Sequence, residues 1–167
     1  FAVGKVGDAF RLDGVDDFVE MPNVIQSNAT FSFSFWMKAD SFTHANYVGA
    51  FCQENGSTAR ADYEGWFYYT GNRASFHSLG LQGSWIGDTG AFDLRVVEPL
   101  QSGIWYQITA TYDGAKLRQY LNGVLRNEVS YAGQVLGNPW PLLVGKLTAF
   151  PTSGHVITYF HGLLDES

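Results

Sequence analysis

Apolar and polar residues alternate with a period of two along much of the chain. Phe31, Phe33, Phe35 and Met37 alternate with Ser32, Ser34, Trp36 and Lys38, which predicts a strand with one wholly apolar face. Tyr106, Ile108, Ala110 and Tyr112 alternate in the same way with Gln107, Thr109, Thr111 and Asp113. Val96–Val97, Leu142–Val144 and His155–Phe160 read as shorter strands. The stretch 116–126 comes nearest to helical spacing, but Gly123 and its β-type neighbours defeat it. Asp13-Gly14, Asp113-Gly114 and Asn122-Gly123 each separate two alternating runs, and such pairs supply the positive φ of tight hairpin turns. Residues 104–129 therefore read as three strands joined by two turns. The polar, glycine-bearing stretch 40–63 reads as a large loop with one strand embedded at 47–53. No linker or repeat divides the chain. So many short strands must close a barrel or pack two sheets. The aromatic alternation favours an antiparallel β-sandwich, because it supplies two facing inner layers.

At 167 residues with 46% hydrophobic content, the chain fits one domain, 1–167, with a real core. Only 16% of residues are charged and 16% are aromatic, which excludes a disordered or coiled-coil chain. The net charge of −6 leaves no basic stripe for nucleic acid or for anionic membranes, and no apolar run is long enough for membrane insertion. Phe1 reads as the start of a mature or excised piece, with no signal peptide ahead of it. Cys52 is the single cysteine, so an internal disulfide and a multi-cysteine zinc site are excluded and the compartment stays open. Asn28-Ala29-Thr30 and Asn55-Gly56-Ser57 match the glycosylation acceptor pattern.

Residues 4–22, from Gly4-Lys5-Val6-Gly7 through Leu12-Asp13-Gly14 to Met21-Pro22, resemble the opening hairpin of laminin G-like jelly rolls in the concanavalin A-like lectin/glucanase superfamily. Residues 30–38 resemble that family's second signature and Trp105–Gly114 with Lys116–Gly123 its third. His161-Gly162-Leu163-Leu164-Asp165-Glu166 is similar to its closing one. These matches occur in family order over nearly the whole chain. The resemblance implies a jelly-roll domain that binds glycans or proteins within a larger secreted or cell-surface protein. Family members usually continue past the closing Asp-Glu with another strand, so the chain is expected to lack its last strand or to leave an edge unpaired, an association hazard.

Three kinds of chemistry are candidates. Asp13, Asp16 and Asp17 cluster in one turn, and hard cations want several closely spaced oxygens. The resemblance implies a structural calcium joining the opening segment to the closing one, with Asp165 at the matching position. Sugar sites stack aromatic rings on pyranose faces and flank them with polar side chains. Trp66 and Tyr68 share one strand face, Phe67 and Tyr69 the other. Trp85 follows glycines and Trp140 lies between prolines, so both are expected to serve a ligand, with Arg73, His77 and His155 as polar partners. Trp36 and Trp105 lie in strands that match the family signatures and are expected in the core. For catalysis, the Glu-x-Asp-x-Glu of the family's glucanases is absent. Asp62-x-Glu64 would pair with Arg60, which works against a raised carboxyl pKa. No lyase signature and no nucleophile elbow occur. Cys52 reads as a small buried hydrophobe, and the histidines, His44 and His161 included, show no metal spacing.

The reading is a non-catalytic carbohydrate-binding or adhesion module that stacks sugars on exposed rings. One rival is a protein-interaction module of laminin G or pentraxin type. The other is a hydrolase or lyase acting on polysaccharides.

Overall fold

The computed structural model describes residues 1–22, 30–42, 48–54, 63–70, 73–77, 93–95, 100–130, 140–149 and 156–166. In chain order the strands are β1 (Ala2–Val3), β2 (Asp8–Asp13), β3 (Val19–Met21), β4 (Phe31–Ala39), β5 (Val48–Glu54), β6 (Tyr63–Thr70), β7 (Arg73–His77) and β8 (Asp93–Arg95). They continue with β9 (Tyr106–Tyr112), β10 (Lys116–Leu121), β11 (Val124–Ser130), β12 (Leu142–Val144), β13 (Lys146–Ala149), β14 (Val156–Tyr159) and β15 (His161–Glu166). A seven-stranded sheet runs β1-β2-β15-β4-β9-β10-β11, and a six-stranded sheet runs β3-β12-β5-β6-β7-β8. β13 and β14 form a separate pair that carries the chain between the two sheets. All pairings are antiparallel. Among the described residues no helix is long and apolar enough to cross a membrane.

The alternation in β4 works as its pattern requires. Phe33 and Phe35 face inward and meet Phe51 of β5 with ring centroids 4.7 and 4.4 Å away, so rings from both sheets lock the layers together. Met37, Ile108, Leu117, Leu121, Leu142 and Val144 complete the core. Gln119 is an exception on this inner face. It is fully buried, and neither atom of its amide has a hydrogen-bond partner.

The turn at 122–123 has positive φ at both residues, 52° at Asn122 and 76° at Gly123, as a tight hairpin needs. The turn at 113–114 is fixed by Asp113. Its Oδ1 accepts the Ala115 and Lys116 amides at 2.9 and 2.7 Å, and its Oδ2 accepts Arg118 at 2.6 Å. The Arg118 hydrogen bond foremost, then the two amides, hold the Asp113 carboxyl at about 2 instead of 3.8. The folded value lies below the unfolded one. This stabilisation is therefore complete above the ordinary value and is lost as pH falls through about 2. Asp113→Asn is expected to flatten the acid limb of stability against pH in that window. Urea midpoints measured across it check this, and an unaltered acid limb refutes it.

Asp13-Gly14 does not form a hairpin. β2 pairs with β1 and β15 in one sheet, whereas β3 pairs with β12 in the other. Local turn chemistry bends the chain here, but the next strand crosses to the opposite layer. The closing strand β15 is likewise not an open edge: β2 flanks it on one side and β4 on the other. The edges of that sheet are β1 and β11. The strand read at 155–160 is β14, which ends at the buried Phe160 just ahead of β15. Val96–Val97 lies outside the described residues, and the strand found next to it is β8.

Candidate functional site

The register of the six-stranded sheet decides which positions share a side. Phe51 is buried in the core and stands opposite Phe67. Phe67 stands opposite Phe76, and Phe76 opposite Leu94. That row belongs to the inner side. By strand alternation the intervening positions from Tyr68 on belong to the outer side: Tyr68 and Thr70 on β6, Arg73, Ser75 and His77 on β7, and Asp93 and Arg95 on β8, whereas Trp66 falls at the register shift between Phe51 and Cys52 and has no partner on β5. Tyr68 stands opposite Ser75, which stands opposite Arg95. Arg73 stands opposite Thr70, and His77 opposite Asp93. Three residues singled out from the sequence, Tyr68, Arg73 and His77, thus share one sheet face, and Trp66 stands at the bulge next to it. Ser75, Asp93 and Arg95 join them there. Sequence reasoning missed these three because cross-strand register is not written in any local pattern. The only signal was the short Asp93-Leu94-Arg95 alternation.

The other expected ligand residues do not join this face. Trp140 is half-buried at the entry to β12, while Trp85 and His155 lie outside the described residues. Trp36 is not a core residue. Its register partners are Gln107 and Asp165, and the alternation that sends Phe35 and Met37 inward sends Trp36 to the outer side of the seven-stranded sheet. There it is half-buried, with Lys5 Nζ 5.1 Å from its ring centroid, a cation–π arrangement. Trp105 is half-buried just ahead of β9. An open cleft of about 370 Å³ lies at the far end of β4 and β9, lined by Thr30, Phe31, Ser32, Thr111, Tyr112 and Asp113.

The expected metal ligands fall into two places. Asp13, Asp16 and Asp17 each offer a carboxylate oxygen, all within 4.8 Å of one another and all exposed. Asp13 Oδ1 accepts the Val15 amide at 2.8 Å, and this bond foremost lowers its pKa. Asp17 Oδ2 accepts the Asp13 amide at 3.2 Å. Asp165 is not part of this set. His161, not Asp165, is the register partner of Asp13, and four residues of strand put Asp165 roughly 13 Å further along.

Asp165 does a different job. It is 5% exposed, and its Oδ2 accepts the backbone amides of Lys5 and Val6 at 2.6 and 2.8 Å. Its Oδ1 is buried without a hydrogen-bond partner. Gly4 lies so close that a Cβ there would collide with the same Oδ2. One carboxylate from the last strand thus closes the first loop of the chain. Asp165→Ala removes the acceptor of both part-buried amides and is expected to cost about 1–3 kcal/mol, at roughly 0.5–1.5 kcal/mol net for each hydrogen bond. A urea midpoint equal to that of the parent would show that the loop is held by something else.

Glu64 is on β6, while Arg60 and Asp62 lie outside the described residues. The backbone of Cys52 stands opposite Leu143 and Gly65.

Two layers of antiparallel strands, a closing Gly-x-x-Asp-Glu strand and a core of facing rings agree with the family comparison, which matches residues 13–167 to the Laminin_G_3 model of the concanavalin A-like lectin/glucanases superfamily. The chain belongs to this superfamily. Among curated proteins none matches the sequence of this laminin G-like domain. Solved structures do. Domain 4 of AbnA, an extracellular GH43 arabinanase from Geobacillus stearothermophilus in complex with arabinotriose, aligns over 99% of this chain and 71% of its own, with TM-score 0.63 and 20% identity. A heptameric SAP-like pentraxin from Limulus polyphemus aligns over 93% of this chain and 71% of its own, with TM-score 0.56 and 14% identity. Domains LG4-5 of the mouse laminin α1 chain align over 95% of this chain and 38% of their own, with TM-score 0.52 and 13% identity. At these identities the likeness carries the jelly-roll fold of the laminin G-like domain and not a shared ligand.

Proposed function

We propose that this laminin G-like domain is a non-catalytic module that binds glycans on the outer face of β6, β7 and β8, within a secreted or cell-surface protein. The observation that carries the reading is the register that gathers Tyr68, Arg73 and His77 on one face, with Trp66 at the adjoining bulge of β6. Two ring-bearing positions two residues apart on one strand, flanked across the ladder by Arg, Ser and His, form a platform suited to a pyranose: rings stack on its apolar face and polar groups bond its hydroxyls. The arabinotriose complex of the similar AbnA domain supports the same ligand class. The experiment is a glycan array followed by calorimetry on the hits, with Trp66→Ala as control. Binding that depends on Trp66 supports the reading. Hits to protein partners alone move it to a protein-interaction module, and released reducing ends or unsaturated products move it to an enzyme.

Calcium belongs to the proposal as a structural ion. The exposed set Asp13, Asp16 and Asp17 fits a hard cation in chemistry, offering three carboxylates within 4.8 Å. Asp165, holding the amides of Lys5 and Val6 at a distance from that set, does not complete it. Calcium is expected to raise the melting temperature and a chelator to lower it, with Asp16→Asn removing the response. A melt unchanged by either ion or chelator removes calcium from the account.

A further inference from the structure

We infer that the sandwich holds an internal water site on the inner side of β10 and β11, built from the carboxamides of Gln119 and Asn127. The site belongs to the seven-stranded sheet and lies apart from the glycan face. Gln119 stands mid-strand between Leu117 and Leu121, and its side chain is wholly buried. Neither its Oε1 nor its Nε2 has a hydrogen-bond partner. The register sets Phe33, Ala110, Gln119 and Asn127 in one row across β4, β9, β10 and β11. Ala110 is in the core and Phe33 packs against it, so the row faces inward. Register partners in an antiparallel pair lie about 5 Å apart, which makes Gln119 and Asn127 neighbours on that side. Asn127 is half-buried. Its Oδ1 accepts the Glu128 amide at 2.9 Å, which leaves Nδ2 as a donor.

A primary amide offers two N–H donors and a carbonyl oxygen with two lone pairs. Buried without partners it gives up its hydration and regains nothing, a cost that a leucine or methionine of similar size does not carry. An occupant that both donates and accepts removes that cost. Water does both and is small enough to share a sealed space with Gln119. An ion does not suit the row: a cation meets the amide donors, an anion meets the carbonyl oxygen, and none of the four side chains is charged to neutralise either. A larger organic ligand would have to displace Leu117 or Leu121, both buried. Two features supply room and further partners. The side chain next to Gln119 on β9 is only the methyl of Ala110. The ladder also shifts beside Gln119: Gln119 pairs with Asn127 and Tyr120 with Leu125, so two steps on β11 match one on β10. A bulge of this kind interrupts ladder hydrogen bonds and leaves backbone polar groups beside the amide. Buried waters make about three hydrogen bonds, and Gln119 Oε1, Gln119 Nε2 and Asn127 Nδ2 supply as many. Because β11 is the sheet edge, exchange with solvent runs past the half-buried Asn127.

The test is NMR on the whole chain, reading rotating-frame Overhauser transfer from water to the Ala110 methyl. Ala110 is 2% exposed, so transfer to its methyl reports a water molecule inside the sandwich. The methyls of Leu164, equally buried but off this row, are the control. In the parent, transfer is expected at Ala110 and not at Leu164. Gln119→Leu, an apolar replacement of similar size, is expected to lose the Ala110 signal, and Asn127→Ala to weaken it. Absence of transfer to Ala110 in the parent overturns the inference, and that measurement needs no variant to fold. Transfer that persists in Gln119→Leu also overturns it, since other groups then hold the water. Equal transfer to Leu164 means that solvent penetrates the whole core and overturns a defined site. A signal unaltered in Asn127→Ala overturns the share of Asn127 in it.

Discussion

Trp66→Ala and Tyr68→Ala are each expected to weaken glycan binding about tenfold, or ~1.4 kcal/mol, with no change in melting temperature. A ring stacked on a sugar loses its apolar contact and its geometric preference when truncated, and two neighbouring rings share the ligand between them. The double variant should therefore bring a weak module below detection, because a single site of this kind relies on avidity from neighbouring modules. The opposite parity supplies the contrast. Phe67 is the register partner of the buried Phe51, so Phe67→Ala is expected to cost about 3–5 kcal/mol of stability and to affect binding only through unfolding. Thermal melts with calorimetry on the three variants decide it. If Tyr68→Ala unfolds the domain like Phe67→Ala, the two faces have been assigned the wrong way round.

That contrast rests on a two-residue period, and period is what the sequence expressed best. β4, β9, β10 and β11 were readable because strict alternation and the Asp-Gly and Asn-Gly turns act within a few residues of each other. Pairing between distant segments was not readable. The turn at Asp13-Gly14 has hairpin chemistry, yet β2 finds its partner at the other end of the chain, in β15. Trp36 shows a second limit. Its alternation with Phe35 and Met37 placed it outside, while the family signature around it suggested the core, and the alternation proved the better physical guide. The candidate site lies between these cases. Period alone puts Trp66 and Tyr68 on one face, but the bulge at Trp66 interrupts that period, Arg73 and His77 stand out by their chemistry, and Arg95 enters only through the β7–β8 register. Asp165 was legible as important but not as an amide-holding buried carboxylate, since nothing near it in sequence points to Lys5 and Val6.

Among the described positive-φ glycines, Gly162→Ala is expected to be the most damaging change. Gly162 sits in β15 between Leu12 of β2 and Ala39 of β4, with φ at 151°. A Cβ there would collide with the Lys38 carbonyl oxygen and come within 2.9 Å of both Ala39 Cα and the Phe160 ring. The first two obstacles are backbone of a central strand, so no side-chain rotation relieves them. Relief requires β15 to move away from β4, which also loosens the ring of Phe160, one of the fully buried side chains. Overpacking of about 1–3 kcal/mol adds to a backbone strain of about 1–3 kcal/mol, so a loss of about 3 kcal/mol or more is expected. Gly114→Ala separates the two causes. Gly114 also has a positive φ, 92°, but a Cβ there meets nothing within 4 Å, so only the conformational part, about 1 kcal/mol, is expected. Urea unfolding of both variants reads the difference directly. Equal losses would mean that β15 and β4 separate without cost, and the closing strand would then not be the clasp that joins the two ends of the chain.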